Sequence, residues 1–288
     1  MANFMHRIVF SLFFLFSLFT PSFMRAEHKK EIVYLDSSVS AGMFAAYYMV
    51  LGALEYSHEH KLSGVKVNFR REGLYYDPAK GNNWWEYYFE PLPLHKKGKK
   101  CKLRKIAPIK KVAFITKGTR LSKGRAHQLI EQYIHVKPFI QQKADAFVEE
   151  HFKGLHIIGV HYRGTDKDSE APRVSYETVY DKICEEIAAY GASNYRIFVA
   201  TDEQAFLNFM LMRFGEDVIY RDAMRSLGKE PVHFARLDPY EAGEEALLDC
   251  LILSRSSVLI RTSSNLSSVS SKMNPNLRVI NLSRSRVY

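Results

Sequence analysis

Residues 159–170 read GVHYRGTDKDSE and place His161, Arg163, Asp166, Lys167 and Glu170 just past the apolar run Leu155-His156-Ile157-Ile158. A plain turn favours Gly, Asn, Pro or Ser, so this density of charge needs another reason. The planar fork of an arginine grips a phosphate through two parallel hydrogen bonds, which makes Arg163 the natural anion receptor. Lys167, close by, would help Arg163 to neutralise a diphosphate. Asp166-Lys167-Asp168 also fits the short Asp-x-Asp pattern of metal-dependent sugar transferases. Two acids around a lysine are too little to imply an ion, and we infer no metal.

The elements that must position these groups alternate regularly. Strands are expected at 155–161, 195–200, 217–220, 257–261 and 277–281, with helices at about 175–190, 203–214, 241–254 and 265–273. Five strand–helix alternations predict an open, mostly parallel sheet. Ligands bind such sheets beyond the carboxyl ends of the strands. The charged stretch lies at one such end, Asp202 in Ala200–Gln204 at a second, and Ser263, Ser264 and Asn265 at a third. The two serines precede a helix, so they either cap it or help its free N–H groups meet a phosphate. Asp249 falls late in a helix, where the dipole disfavours a carboxylate. Its compensation is expected from a surface lysine or from a ligand donor such as a guanine edge.

Upstream, Glu31–Asp36 reads as a strand, Met43–Ser57 as a buried helix and Gly64–Phe69 as a strand, a βαβ opening. Val112–Thr116 is expected to be a strand, and 123–151 two helices broken near Pro138. Together these predict two Rossmann-like α/β domains with open, mostly parallel sheets, residues 27–150 and 151–288. The stretch NNWWEYYFEPLPL at 82–94 offers aromatic faces on which sugars stack, or simply core.

The net charge of the 288 residues is +10, which suits an anionic ligand or surface. Residues 95–111 carry nine Lys or Arg and no acid, with no aromatic interleaved for base stacking, so they read as a solvated loop and not as a nucleic-acid patch. Cys101, Cys184 and Cys250 lack any zinc-type spacing. The N-terminus has a basic start and an apolar run, residues 8–24, containing Pro21. That is short for a spanning helix, which needs about 20 apolar residues, so residues 1–26 read as a signal peptide or a retained membrane anchor.

Three segments, IGVHYRGTDK (158–167), VATDE (199–203) and DCLILSRSSVLIRTSSNLSSV (249–269), together resemble the motifs of a GDP-fucose-dependent fucosyltransferase superfamily. It comprises core α1,6-fucosyltransferases, nodulation fucosyltransferases and, more distantly, protein O-fucosyltransferases. The resemblance implies an inverting, metal-independent transfer of fucose from GDP-fucose to a glycan or glycoconjugate, with the donor as substrate and no cofactor. It implies that Arg163 binds the donor's β-phosphate and that His161 and Asp249 contact its guanine nucleotide. Asp166 and Lys167 would then organise the loop, and Ser263 and Ser264 would reach the phosphates. The core enzymes carry a second arginine where this chain has Gly164, and a proposed base one residue out of step with Glu170. Other readings are a transferase of another nucleotide sugar, or a non-catalytic basic carbohydrate- or nucleic-acid-binding protein on the same fold. Location follows the leader: secretory pathway or membrane-associated, in a Golgi lumen for a eukaryote and on the cytoplasmic face for a bacterium.

Overall fold

The computed structural model describes residues 31–37, 42–70, 73–94, 102–105, 108–164, 173–191, 194–226 and 238–283. The leader (1–26) and the loop segment carrying Asp166, Lys167, Asp168 and Glu170 lie outside these residues. Among the described residues no helix is long and apolar enough to cross a membrane.

The chain forms two parallel sheets. The first comprises β1 (Glu31–Ser37), β2 (Val65–Phe69) and β3 (Lys102–Lys105) in the order β2-β1-β3, accompanied by α1 (Met43–Glu59), α2 (Trp85–Tyr88) and α3 (Pro108–Arg120). Two further helices, α4 (Lys123–Tyr133) and α5 (Pro138–His151), lead to the second sheet. Ser122 starts α4 by accepting a bond from Arg125 N, and Pro138 occupies the first turn of α5, where its missing N–H costs nothing.

The second sheet takes the order β6-β5-β4-β7-β8 from β4 (His156–Tyr162), β5 (Tyr195–Thr201), β6 (Val218–Tyr220), β7 (Val258–Arg261) and β8 (Arg278–Asn281). Intervening helices are α6 (Tyr176–Tyr190), α7 (Gln204–Phe214), α8 (Pro239–Leu253) and α9 (Asn265–Met273). One face packs Ile158, Val160, Ile197 and Val199 against Val179, Ile183 and Phe206, and the opposite face packs Ile157, Phe198 and Leu259 with Leu247 and Leu251. Burial on both faces explains why these strands are apolar throughout. Growth of the sheet runs outward from β4 to β5 and β6, then restarts on the other side at β7. The topological switch point therefore lies between β4 and β7, where such folds bind ligands.

Two expectations are corrected. Val112–Thr116 is the middle of α3, not a strand. Its β-branched run favours a strand only weakly, and close packing against α1 decides instead. A Cβ on Gly52 would stand 2.0 Å from Phe114 O, and one on Gly118 2.1 Å from Tyr48 O. The basic run is not loop throughout either, because β3 within it pairs with β1, Val33 opposite Arg104. Basic residues are at home on an edge strand, where they discourage pairing with another chain.

The aromatic stretch is core. Trp84, Trp85, Tyr88 and Phe89 are fully buried, and Tyr87 nearly so. Phe89 stacks on Trp85 with ring centres 4.2 Å apart, and Tyr88 stacks on Tyr240 of α8 at 5.5 Å while donating to Tyr240 O at 2.9 Å. These rings seal the first sheet's helices against the second and offer no face to a sugar.

Because α1 and α3 touch backbone to backbone, Gly118→Ala should destabilise the protein by about 1–3 kcal/mol, the usual cost of overpacking. Urea unfolding measures it. A change under about 0.5 kcal/mol would mean that the two helices do not meet at glycine.

Candidate active site

At the carboxyl ends of the second sheet's strands opens a cleft lined by His161, Arg163, Thr201, Asp202, Ala223, Met224, Ala242, Glu245, Ala246, Asp249 and Leu266, with Tyr75 reaching in from the first unit. Four of the residues singled out in the sequence, His161, Arg163, Asp202 and Asp249, are thus brought together from three segments.

Arg163 is held rather than dangling. Its backbone N–H donates to Thr262 Oγ1 at 2.9 Å, and its Nε lies 3.1 Å from Asp202 Oδ2. The other oxygen of Asp202 accepts from Gly164 N at 3.1 Å. One carboxylate thereby ties the turn after β4 to the end of β5, fixing the guanidinium by its Nε edge. At position 164 a side chain has no room, since a Cβ would stand 2.3 Å from Glu203 Oε2. Glu203 is itself buried, pairing with Arg173 Nη2 at 2.6 Å and accepting from Tyr176 OH at 2.9 Å. This accounts physically for the glycine at position 164.

His161 ends β4 almost completely buried, and its Nδ1 has no partner among the described residues. Burial, then Arg261 and Arg163, push its pKa down to about 3. The ring is therefore neutral at physiological pH and carries an unused polar nitrogen beside the cleft.

Asp249 is not compensated by a surface lysine. Arg221, in the loop after β6, donates from Nη1 to Asp249 Oδ1 at 3.1 Å and to Glu245 O at 3.1 Å. Burial still outweighs this ion pair and raises the Asp249 pKa. Nothing local in the sequence marks Arg221 as the partner. The same holds for Tyr75, whose hydroxyl accepts from Met43 N at 3.1 Å.

Ser264 caps α9, accepting from Leu266 N at 3.2 Å, and Ser263 N donates to Ser283 Oγ at 2.7 Å. Ser263, Ser264 and Asn265 follow β7 closely but do not line the cleft as His161 and Arg163 do; Leu266 does.

Two facing parallel α/β units, with a charged cleft at the switch point of the larger sheet, define a GT-B-like protein. Residues 123–284 match the family described as nodulation protein Z (NodZ), and the chain belongs to that family. It is 28% identical over 144 residues to nodulation protein Z of Bradyrhizobium diazoefficiens, covering 47% of this chain and 39% of that protein. With the Sinorhizobium fredii nodulation protein Z it shares 30% identity over 139 residues, 45% of this chain and 43% of that one. The matched segments thus span less than half the length of these relatives. In fold it resembles the crystal structure of NodZ α-1,6-fucosyltransferase soaked with GDP-fucose, with a TM-score of 0.57, 18% identity and coverage of 88% of this chain and 94% of that one.

The depressed pKa of His161 has a consequence for stability. Its unfolded form takes a proton near pH 6.5 while the folded form resists until about pH 3. Between those values the unfolded chain binds more protons, so this residue's contribution is complete above pH 6.5 and is lost as pH falls. The expected slope is about 1.4 kcal/mol per pH unit. His161→Asn should flatten the curve of unfolding free energy against pH over that window, and parallel curves for both proteins would show that His161 titrates normally.

Proposed function

We propose that this protein is a fucosyltransferase that moves fucose from GDP-fucose to a hydroxyl of a glycan or glycoconjugate by a single inverting displacement, without a metal. The observation that carries this reading is the Arg163 guanidinium, anchored by Asp202 at the switch point beside neutral His161 and buried Asp249. A donor diphosphate would lie against this guanidinium. As the bond from the anomeric carbon to the β-phosphate oxygen breaks, charge grows on that phosphate, and a prealigned guanidinium stabilises it without reorganising. His161 Nδ1 and the second oxygen of Asp249 would face the guanosine, a carboxylate being the complement of guanine's adjacent N–H donors. Family membership, and the relative soaked with GDP-fucose, support the choice of donor.

Lys167 would add positive charge at the same phosphate, Asp166 would shape the loop, and Glu170 would accept the proton of the attacking hydroxyl. Residues 8–24 would place the catalytic body at a membrane or deliver it to the secretory pathway.

Calorimetry in EDTA should show tighter binding of GDP than of UDP or ADP; equal affinities, or loss of binding on chelation, would sink the proposal. Arg163→Ala should lower transfer by about a hundred- to thousandfold. Arg163→Lys should recover little of it, since a point charge cannot replace the fork.

For Glu170→Gln, transfer should fall by about a hundred- to ten-thousandfold while GDP affinity stays unchanged on the same preparation. Unaltered turnover would remove Glu170 from the mechanism.

A further inference from the structure

Arg261 is the last residue of β7, and it stands in register opposite His161 of β4, across the switch point. Its surroundings are unusual for an arginine. Arg173, Arg196, Arg221, Arg255 and Arg278 each pair with a carboxylate. Arg261 has no ion pair or hydrogen bond among the described residues, and its Nε is buried without a partner. The groups that act on it electrostatically are not anionic. His161 and Lys123 both have their pKa lowered by its charge, and Tyr48, also in its field, is neutral and donates to Ser268 Oγ at 2.7 Å.

The two lysines in this region are already satisfied. Lys123 donates to Leu277 O at 2.9 Å, and Lys272 donates to Thr119 O at 3.4 Å and to Leu121 O beyond the carboxyl end of α3. Cations are favoured at such a helix end. Among the described residues Arg261 makes no such bond, and its buried Nε is left without an acceptor. Burying an unpaired charge is costly, and burial pushes even this guanidinium's pKa down. Among the described residues no carboxylate neutralises this cation, which stands at the edge where its sheet type takes ligands. Arg163 and Arg261 act together on the His161 ring between them. The N-terminus of α9 begins within a few residues of Arg261, so free backbone N–H groups add to the same positive field.

We propose that Arg261, in register with the cleft residue His161, is a second anion-binding side chain beside this cleft, taking an oxygen of a nucleotide's diphosphate while Arg163 takes another. This deepens the donor-binding reading above and rests on it for the identity of the nucleotide. The diphosphate spans β4 and β7, one guanidinium on each strand, and in its absence Arg261 is an unneutralised charge that strains the fold.

The test is calorimetry of the wild type, Arg261→Gln and Arg261→Lys with GDP, guanosine and pyrophosphate, alongside thermal unfolding without ligand. Arg261→Gln should weaken GDP and pyrophosphate by about 10- to 100-fold, the range for hydrogen bonds to a charged group, and leave guanosine unchanged. Arg261→Lys should recover part of the loss. The ligand-free Gln variant should melt no lower than the wild type, because an unpaired charge has been removed. GDP affinity within twofold of the wild type in Arg261→Gln overturns the proposal. So does an equal loss for guanosine, or a fall of several degrees in Tm, either of which would make Arg261 a structural residue. The two readings fail separately. A wild type that binds pyrophosphate but shows no preference for GDP over UDP refutes the guanine assignment, and the pyrophosphate arm still decides Arg261.

Discussion

Asp202 is the group on which the cleft depends. With one oxygen on Arg163 Nε and the other on Gly164 N, it joins the ends of two adjacent strands and aims a guanidinium outward. Thr262, past β7, receives the Arg163 N–H and ties in a third strand. The arrangement works because all five strands are parallel, so their carboxyl ends and the polar turns that follow lie along one edge. Apolar side chains on both faces of the sheet fix the height of those turns relative to one another. A guanidinium set this way loses little further entropy on meeting an anion, which is how preorganisation favours binding.

Around that pair the protein separates charge from neutrality by burial. His161 sits between Arg163 and Arg261 and is kept neutral, so it faces a ligand as a polar but uncharged ring. Asp249 is buried too, with one oxygen committed to Arg221. Glu203 is occupied by Arg173 and Tyr176 and thereby closes the space beside Gly164. Asp202, Glu203 and Asp249 at this edge are each paired with an arginine.

The first unit contributes more than a lid. Its aromatic stretch packs under α8, and Tyr48 reaches across to Ser268 of α9, so the two units share one hydrophobic core. Tyr75, steadied by Met43 N and packed on Trp84, projects from that core into the cleft. Any movement of the first unit is thereby coupled to the wall of the binding site.

Much of this was legible in the amino-acid sequence. Hydrophobic period and caps located every element of the second sheet to within a few residues, because a strand buried on both faces must be apolar and a helix start must satisfy its own N–H groups. Strand order then carried the charged turns to one edge, and His161, Arg163, Asp202 and Asp249 could be named from where they fall. What tertiary structure alone decided involves partners distant along the chain. Residues 112–116 became helix because Gly52 and Gly118 allow two backbones to touch. The lysine-rich run supplied a strand because β1 had an edge to pair. Arg221 rather than a lysine met Asp249 from 28 residues away, and Tyr75 entered a cleft formed by the other half of the chain. Arg261 became a charge with no counterion among the described residues. Local sequence sets backbone preference, whereas the identity of a buried charge's partner depends on which segments the core brings together.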